Sequence, residues 1–159
     1  MARHSKDGRT ALHRASEQGH VSAVQALLAR GAAVNALTVD YLTPLHLAAA
    51  AGHVDCVTAL LAADGVALDR KSQRGQTPLA TSLVHRKPEV TLALLADGRC
   101  DVNLFDESGW TPLQHAAANN DVDMCTNLVQ AGADKDAITI AGRSVYDLCS
   151  EDVAQVIRQ

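Results

Sequence analysis

Seven histidines and four cysteines are the side chains of this 159-residue sequence best suited to act as bases, nucleophiles or metal ligands. His13 and His46 each stand three residues after a threonine, in TALH and TPLH, and His20 and His53 each follow a glycine. A free imidazole could exchange a proton near neutral pH, but recurrence at fixed places favours structural bonding. His115 falls one place beyond the motif position, while His4 and His85 are isolated. Cys56, Cys100, Cys125 and Cys149 are far apart with no CxxC pair, so zinc-finger spacing is absent. Asp134 and Asp136 are close enough to pair as acid and base, yet they lie in a hairpin-like segment and read as solvated. The patterns GxGxxG, GxxxxGK[ST], HExxH and GxSxG do not occur. The residues therefore assign no catalytic group, no metal ligand and no cofactor.

The elements that must hold these side chains are written as a repeat. TALH begins at Thr10, TPLH at Thr43, TPLA at Thr77 and TPLQ at Thr111, with SVYD at Ser144; the spacings are 33, 34, 34 and 33 residues. A fixed period of this size indicates stacked supersecondary units. In the second unit, Thr43 is placed to cap a helix and Pro44 to occupy its first position, where no N–H is needed. Gly52 closes that helix in a left-handed turn. Val54, Val57, Leu60 and Leu61 then form a stripe along a second helix, matched by Val21, Val24, Leu27 and Leu28 and by Val122, Cys125, Leu128 and Val129. No unit of this size hides such a stripe alone, so the next copy must cover it.

Composition agrees. Hydrophobic residues make up 47% and aromatics only 3%, which suits thin, closely packed helices. The formal charge of −4 is unevenly spread: residues 1–100 carry 11 Lys or Arg against 8 Asp or Glu, and residues 101–159 carry 3 against 10. A partner would thus meet an electrically polarised surface. Three of the cysteines fall where a small buried side chain is wanted, and a reducing compartment, the cytoplasm or alternatively the nucleus, is expected. Neither a signal-peptide core nor an apolar run of about 18 residues occurs, so no membrane role is expected.

The repeated residues are similar to those of the ankyrin-repeat family: DGRTALH at Asp7, TPLHLAAAAGH at Thr43, GQTPL at Gly75 and GWTPL at Gly109, with GAAVNA at Gly31, CDVN at Cys100 and GADKDA at Gly132. The resemblance implies an all-α solenoid of helix-turn-helix units with β-hairpin fingers. Its repeats would run approximately 5–37, 38–71, 72–105 and 106–138, with a capping repeat at 139–159. It also implies binding of a protein or peptide on the concave face of fingers and first helices, by a monomer without enzymatic activity. Asn35 and Asn103 resemble family sites of asparaginyl hydroxylation. Arg14 and Ser16, polar where the family is apolar, suggest a water-exposed first face, and Asp147, Ser150, Glu151 and Asp152 suggest a polar last one. Unit three departs most. Ala80 replaces the motif histidine, Thr81 and Ser82 follow, and Arg86-Lys87 replaces Gly-His, which puts its first helix in doubt and makes it the expected weak point.

On that face, the residue before each TPL-type motif is Arg9, Leu42, Gln76, Trp110 or Arg143. Tyr41, at a turn-glycine position, and Phe105, on the strand entering the fourth finger, add aromatic anchors. The competing reading is that Phe105 and Trp110 pack across adjacent fingers. Arg70, Lys71 and Arg74, with His85, Arg86 and Lys87, form a basic cluster suited to an acidic or phosphorylated segment, or else a solvated loop face. Asn119 completes the set of partner-binding candidates. Nucleic acid is disfavoured, because no aromatics interleave with the basic residues and the C-terminal part is acidic. The alternatives are inhibition of a partner enzyme such as a kinase, and a recognition segment of a larger enzyme, channel or ubiquitin-ligase receptor.

Overall fold

The computed structural model describes residues 6–159; His4 and the expected first residue of the first repeat, Ser5, lie outside the described residues. Helices come in pairs: α1 (Ala11–Gln18) with α2 (Val21–Ala29), α3 (Pro44–Ala51) with α4 (Val54–Leu61), α5 (Pro78–Val84) with α6 (Pro88–Asp97), and α7 (Pro112–Ala118) with α8 (Val122–Gln130). A 3-10 turn at Val145–Asp147 and α9 (Glu151–Arg158) follow. First helices stack in one row, α1 on α3 on α5 on α7, and second helices in another, α2 on α4 on α6 on α8.

Local chemistry starts each first helix. Thr10, Thr43, Thr77 and Thr111 are extended N-caps whose hydroxyls accept the N–H three residues on, a bond worth about 1 kcal/mol per cap. In three units the residue at that third position answers the cap. The Thr43 N–H donates to Nδ1 of His46 (3.2 Å), so the ring proton sits on Nε2, which donates to the carbonyl of Gln76 in the next finger (2.9 Å). His13 repeats this with Thr10 and with the carbonyl of Leu42 (3.0 Å). Gln114 does the same work through its amide, accepting from Thr111 N–H (2.9 Å) and donating to the carbonyl of Ala137 (2.8 Å). These histidines are helix caps that also tie one layer to the next. Burial holds His46 at a pKa of about 4 and moves His13 in the same direction.

The core runs in single file. Leu12, Leu45, Leu79 and Leu113 hold one buried position in successive units, and Leu60, Leu94 and Leu128 another. Leu27, at the latter position in the first unit, is only half-buried, because it lies on the end of the stack. Asn35 and Asn103 act as clasps between layers. Asn35 donates to Gly65 O and accepts from Ala67 N, both at 2.8 Å, and Asn103 donates to Gly132 O (3.1 Å) and accepts from Asp134 N (2.7 Å).

Three expectations change. The fingers are closed turns, with no strand among the described residues, and Phe105 therefore does not lie on one. Each finger is closed by its own bonds, such as Ser72 N–H to Gln76 O (2.9 Å), and gives the preceding finger one backbone bond: Gln73 N–H to Asp40 O (2.8 Å), Glu107 N–H to Arg74 O (3.2 Å). One bond per pair makes no ladder. Ser16 is fully buried rather than water-exposed, at the place that Ala49 and Ala117 take in later units, whereas Arg14 is exposed. The first helix of unit three does form, because Thr77 caps it, Pro78 opens it, and Leu79 and Leu83 bury its inner side.

Candidate functional site

Finger and first-helix side chains line two grooves that meet at Gln76. One, of about 650 Å³, lies between the second and third units and includes Leu42, Leu47, Ala50, Arg74, Gln76 and His85. The other, of about 390 Å³, faces the fourth unit and includes Gln76, Val84, Asp106, Trp110, His115 and Asn119. Repetition explains the alignment: Leu42, Gln76 and Trp110 precede successive N-cap threonines, so the stack sets them side by side.

Six of the ten predicted residues are thereby brought together: Leu42, Arg74, Gln76, His85, Trp110 and Asn119. The Asn119 amide also donates to Leu83 O (3.3 Å), which fixes its orientation. The other four lie outside both grooves. Arg9 is half-buried and engaged by Asp7 and Glu17. Arg143 is exposed on the last finger, where its N–H donates to the Thr139 hydroxyl (3.1 Å). Tyr41 sits on a turn tip, 54% exposed and at φ 58°. Phe105 is 57% exposed beneath Lys71, whose Nζ stands 4.6 Å from the ring centroid and donates to Phe105 O (2.6 Å).

The packing of the aromatics is specific. Phe105 is met across adjacent fingers by Lys71, whereas Trp110 is half-buried against His115 of its own unit, with centroids 5.2 Å apart and planes tilted by 39°. His115 Nε2 lies 2.9 Å from Asp106 Oδ2, and the other oxygen of Asp106 accepts the N–H groups of Ser108 (2.9 Å) and Trp110 (3.0 Å). The Trp110 ring is thus held by a bonded imidazole on a fixed turn. Asp106 and His115 were not legible as a pair, since nine residues separate them and only the finger's folding back joins them.

The basic cluster does not form one patch. Arg74 and His85 share the first groove with Asp40 and Glu107, Lys71 is engaged with Phe105, and Arg86 and Lys87 line a separate depression with Asp121 and Asp123. The cysteines are free thiols. Burial raises the pKa of each, and that of Cys125 to about 12, which keeps its sulfur protonated and unreactive. Among the described residues no helix is long and apolar enough to cross a membrane.

A stack of two-helix layers with finger turns and a shared linear core defines a solenoid repeat protein. The family model for ankyrin repeats (3 copies) matches residues 1–72 and 64–139, and the chain belongs to that family. It is similar to protein phosphatase 1 regulatory subunit 12A of Mus musculus, 33% identical over 84 residues that cover 53% of this chain and 8% of that protein. Protein phosphatase 1 regulatory subunit 27 of Mus musculus is 30% identical over 92 residues, 58% of this chain and 59% of the relative. The RelA-associated inhibitor of Mus musculus is 37% identical over 79 residues, 49% and 10% respectively. The chain spans less than two thirds of the length of each of these relatives. Ankyrin repeats are elements of protein–protein interaction.

Proposed function

We propose that this chain is a non-catalytic module that holds a partner protein or peptide along the two grooves meeting at Gln76. Leu42 and Trp110 serve as apolar anchors, and Arg74, His85 and Asn119 supply polar contacts. The observation that carries this reading is the convergence of six sequence-selected residues on one continuous face. A half-buried tryptophan held in place by its own unit suits an anchor, because little of its freedom is lost on binding.

Affinity capture from cell extract tests it, with wild type beside Trp110→Ala and beside Leu92→Ser, an exposed change on α6 in the row of second helices. A partner retained by wild type and Leu92→Ser and released by Trp110→Ala is the expected result, with affinity lowered by about 2 kcal/mol or more. Equal retention by all three rejects the face.

A second reading, control of a partner enzyme, is favoured by the relatives' names, two of which are regulatory subunits of protein phosphatase 1. Adding the chain to the isolated phosphatase catalytic subunit should change its rate on a phosphoprotein. An unchanged rate with no complex on gel filtration removes this reading and leaves the face untouched.

A further inference from the structure

Resting on the concave-face reading, we propose that the groove at the fourth unit seats a cationic side chain of the partner, an arginine, against Trp110 and His115. The Asp106–His115 pair beside this tryptophan is an addition to the repeat. Five residues before the capping Thr or Ser, the hydroxyls of Thr38, Ser72 and Thr139 close the second, third and fifth fingers by accepting one N–H each, at 3.1, 3.3 and 3.1 Å. Asp106 does the same in the fourth finger with one carboxylate oxygen (3.0 Å) and turns the other to His115 (2.9 Å). Four residues after the cap, where His115 stands, the other units have Arg14, Leu47, Thr81 and Leu148. The same turn and helix start are thus built elsewhere without a carboxylate or an imidazole, so the fold alone does not account for the pair.

The surroundings select the ligand. Asp106 is the one carboxylate in the lining, which includes no Lys or Arg; Arg74 and Arg143, on the neighbouring fingers, lie outside this groove. A carboxylate only accepts hydrogen bonds, so the proton between the pair sits on Nε2, and Nδ1 of the neutral ring is an acceptor. That nitrogen makes no hydrogen bond among the described residues and is not sealed, for the buried side-chain atoms without a partner are the hydroxyls of Ser16 and Thr81. Two other aromatic rings carry a cation of their own: Lys71 Nζ stands 4.6 Å from the centroid of Phe105, and the guanidinium carbon of Arg158 stands 5.4 Å from that of Tyr146. An indole attracts cations more strongly than either ring. Trp110 nevertheless has none among the described residues, although it is half-buried in a groove beside a buried carboxylate. A guanidinium answers all three features, because its plane stacks on the indole, an N–H reaches Nδ1, and its charge offsets that of Asp106. An ammonium has no plane and holds its water more firmly, and an anion would meet no cation in the lining.

Nα-acetyl-arginine amide is the probe, with its lysine and citrulline analogues beside it; citrulline keeps the planar end and loses the charge. Titrated into the full chain at pH 8, where an ordinary imidazole is neutral, and followed by NMR, the arginine amide should give saturable shifts at the N–H groups of Gln76, Trp110 and Asn119. The lysine amide should bind more weakly and the citrulline amide should give no saturable shift. Asp106→Thr with His115→Leu installs the residue types of Thr38 and Leu47, which keeps the turn bond, and should weaken arginine binding about tenfold. Trp110→Leu, the residue type of Leu42, should weaken it about two- to fivefold. Should the double variant fail to fold, Trp110→Leu decides alone. The subsite is overturned if the arginine amide gives no saturable shift, if the citrulline amide matches it, or if either folded variant binds as wild type does. That outcome beside a partner still released by Trp110→Ala would leave the concave face standing without a cation subsite.

Discussion

Tyr41 concentrates the residue-scale question, because it holds a left-handed φ of 58° where Gly75, Gly109 and Gly142 do so in the later fingers. A side chain in that region costs about 1 kcal/mol relative to glycine, and this one is mostly in solvent, where packing returns little. Tyr41→Gly is therefore expected to leave the fold intact and raise unfolding free energy by up to about 1 kcal/mol in urea titration. A lowered midpoint would show that the ring stabilises its finger. At two of these glycines there is a further reason: a Cβ on Gly75 would lie 2.7 Å from the Glu107 nitrogen and one on Gly109 2.9 Å from the Ile140 nitrogen. Weaker partner capture by a more stable Tyr41→Gly protein would place the tyrosine in the binding surface.

At the scale of the element, the capping side chains couple helix starts to pH. His46 has a pKa of about 4 in the folded chain against an ordinary 6.5, because burial penalises the imidazolium. Above pH 6.5 both folded and unfolded forms are neutral and the contribution is complete. As pH falls through 6.5 toward 4, the unfolded chain takes up a proton that the folded chain refuses. Stability should therefore drop by about 1.4 kcal/mol per pH unit, about 3 kcal/mol over the window, with His13 acting in the same direction. Gln114 shows that an amide makes the same two bonds without titrating. Urea titrations of His46→Gln at pH 7 and pH 5 should show a clearly smaller difference than wild type; an equal difference would exclude His46 as the source. Unit three has Ala80 at this place, and its reversal holds Arg86 at φ 53° where Gly19 and Gly52 stand in the first two units. Arg86→Gly should stabilise the chain by about 1 kcal/mol, read as a higher melting temperature, whereas a lower one would mean that the arginine stem packs usefully.

For the whole molecule, linear stacking means that each layer is supported by its neighbours alone. Leu60 is fully buried in α4, and Leu60→Ala should cost about 2–5 kcal/mol. Trp110, the single tryptophan, reports the fourth unit, whereas far-ultraviolet dichroism reports every helix. The denaturation midpoint of Leu60→Ala should accordingly shift more by dichroism than by fluorescence. Coincident midpoints would show that the array unfolds as one body. The ends also differ. α9 buries Val153, Ala154 and Ile157 and presents Glu151 and Asp152 to water, whereas Ala23, Ala26 and Leu27 beside α1 leave a shallow apolar groove on the first face. Arg14 alone does not make that face polar.

Apart from the first helix of unit three, which its departures put in doubt, the helix pairs, their caps and the stacked fold were legible in the residues, because Thr-Pro starts, glycine stops and apolar stripes act over a few positions and the period repeats the statement. The row Leu42, Gln76 and Trp110 was legible too, since equal spacing becomes adjacency once layers stack. What the chain could not state was which groups meet once the backbone has closed. The ring of Trp110 on His115, the pairing of that imidazole with Asp106, the burial of Ser16, the split of the basic cluster and the unpartnered hydroxyl of Thr81 all depend on distances set by packing. Repeat spacing fixes which positions are neighbours, but only the closed backbone decides which atoms reach one another and which are left without a bond.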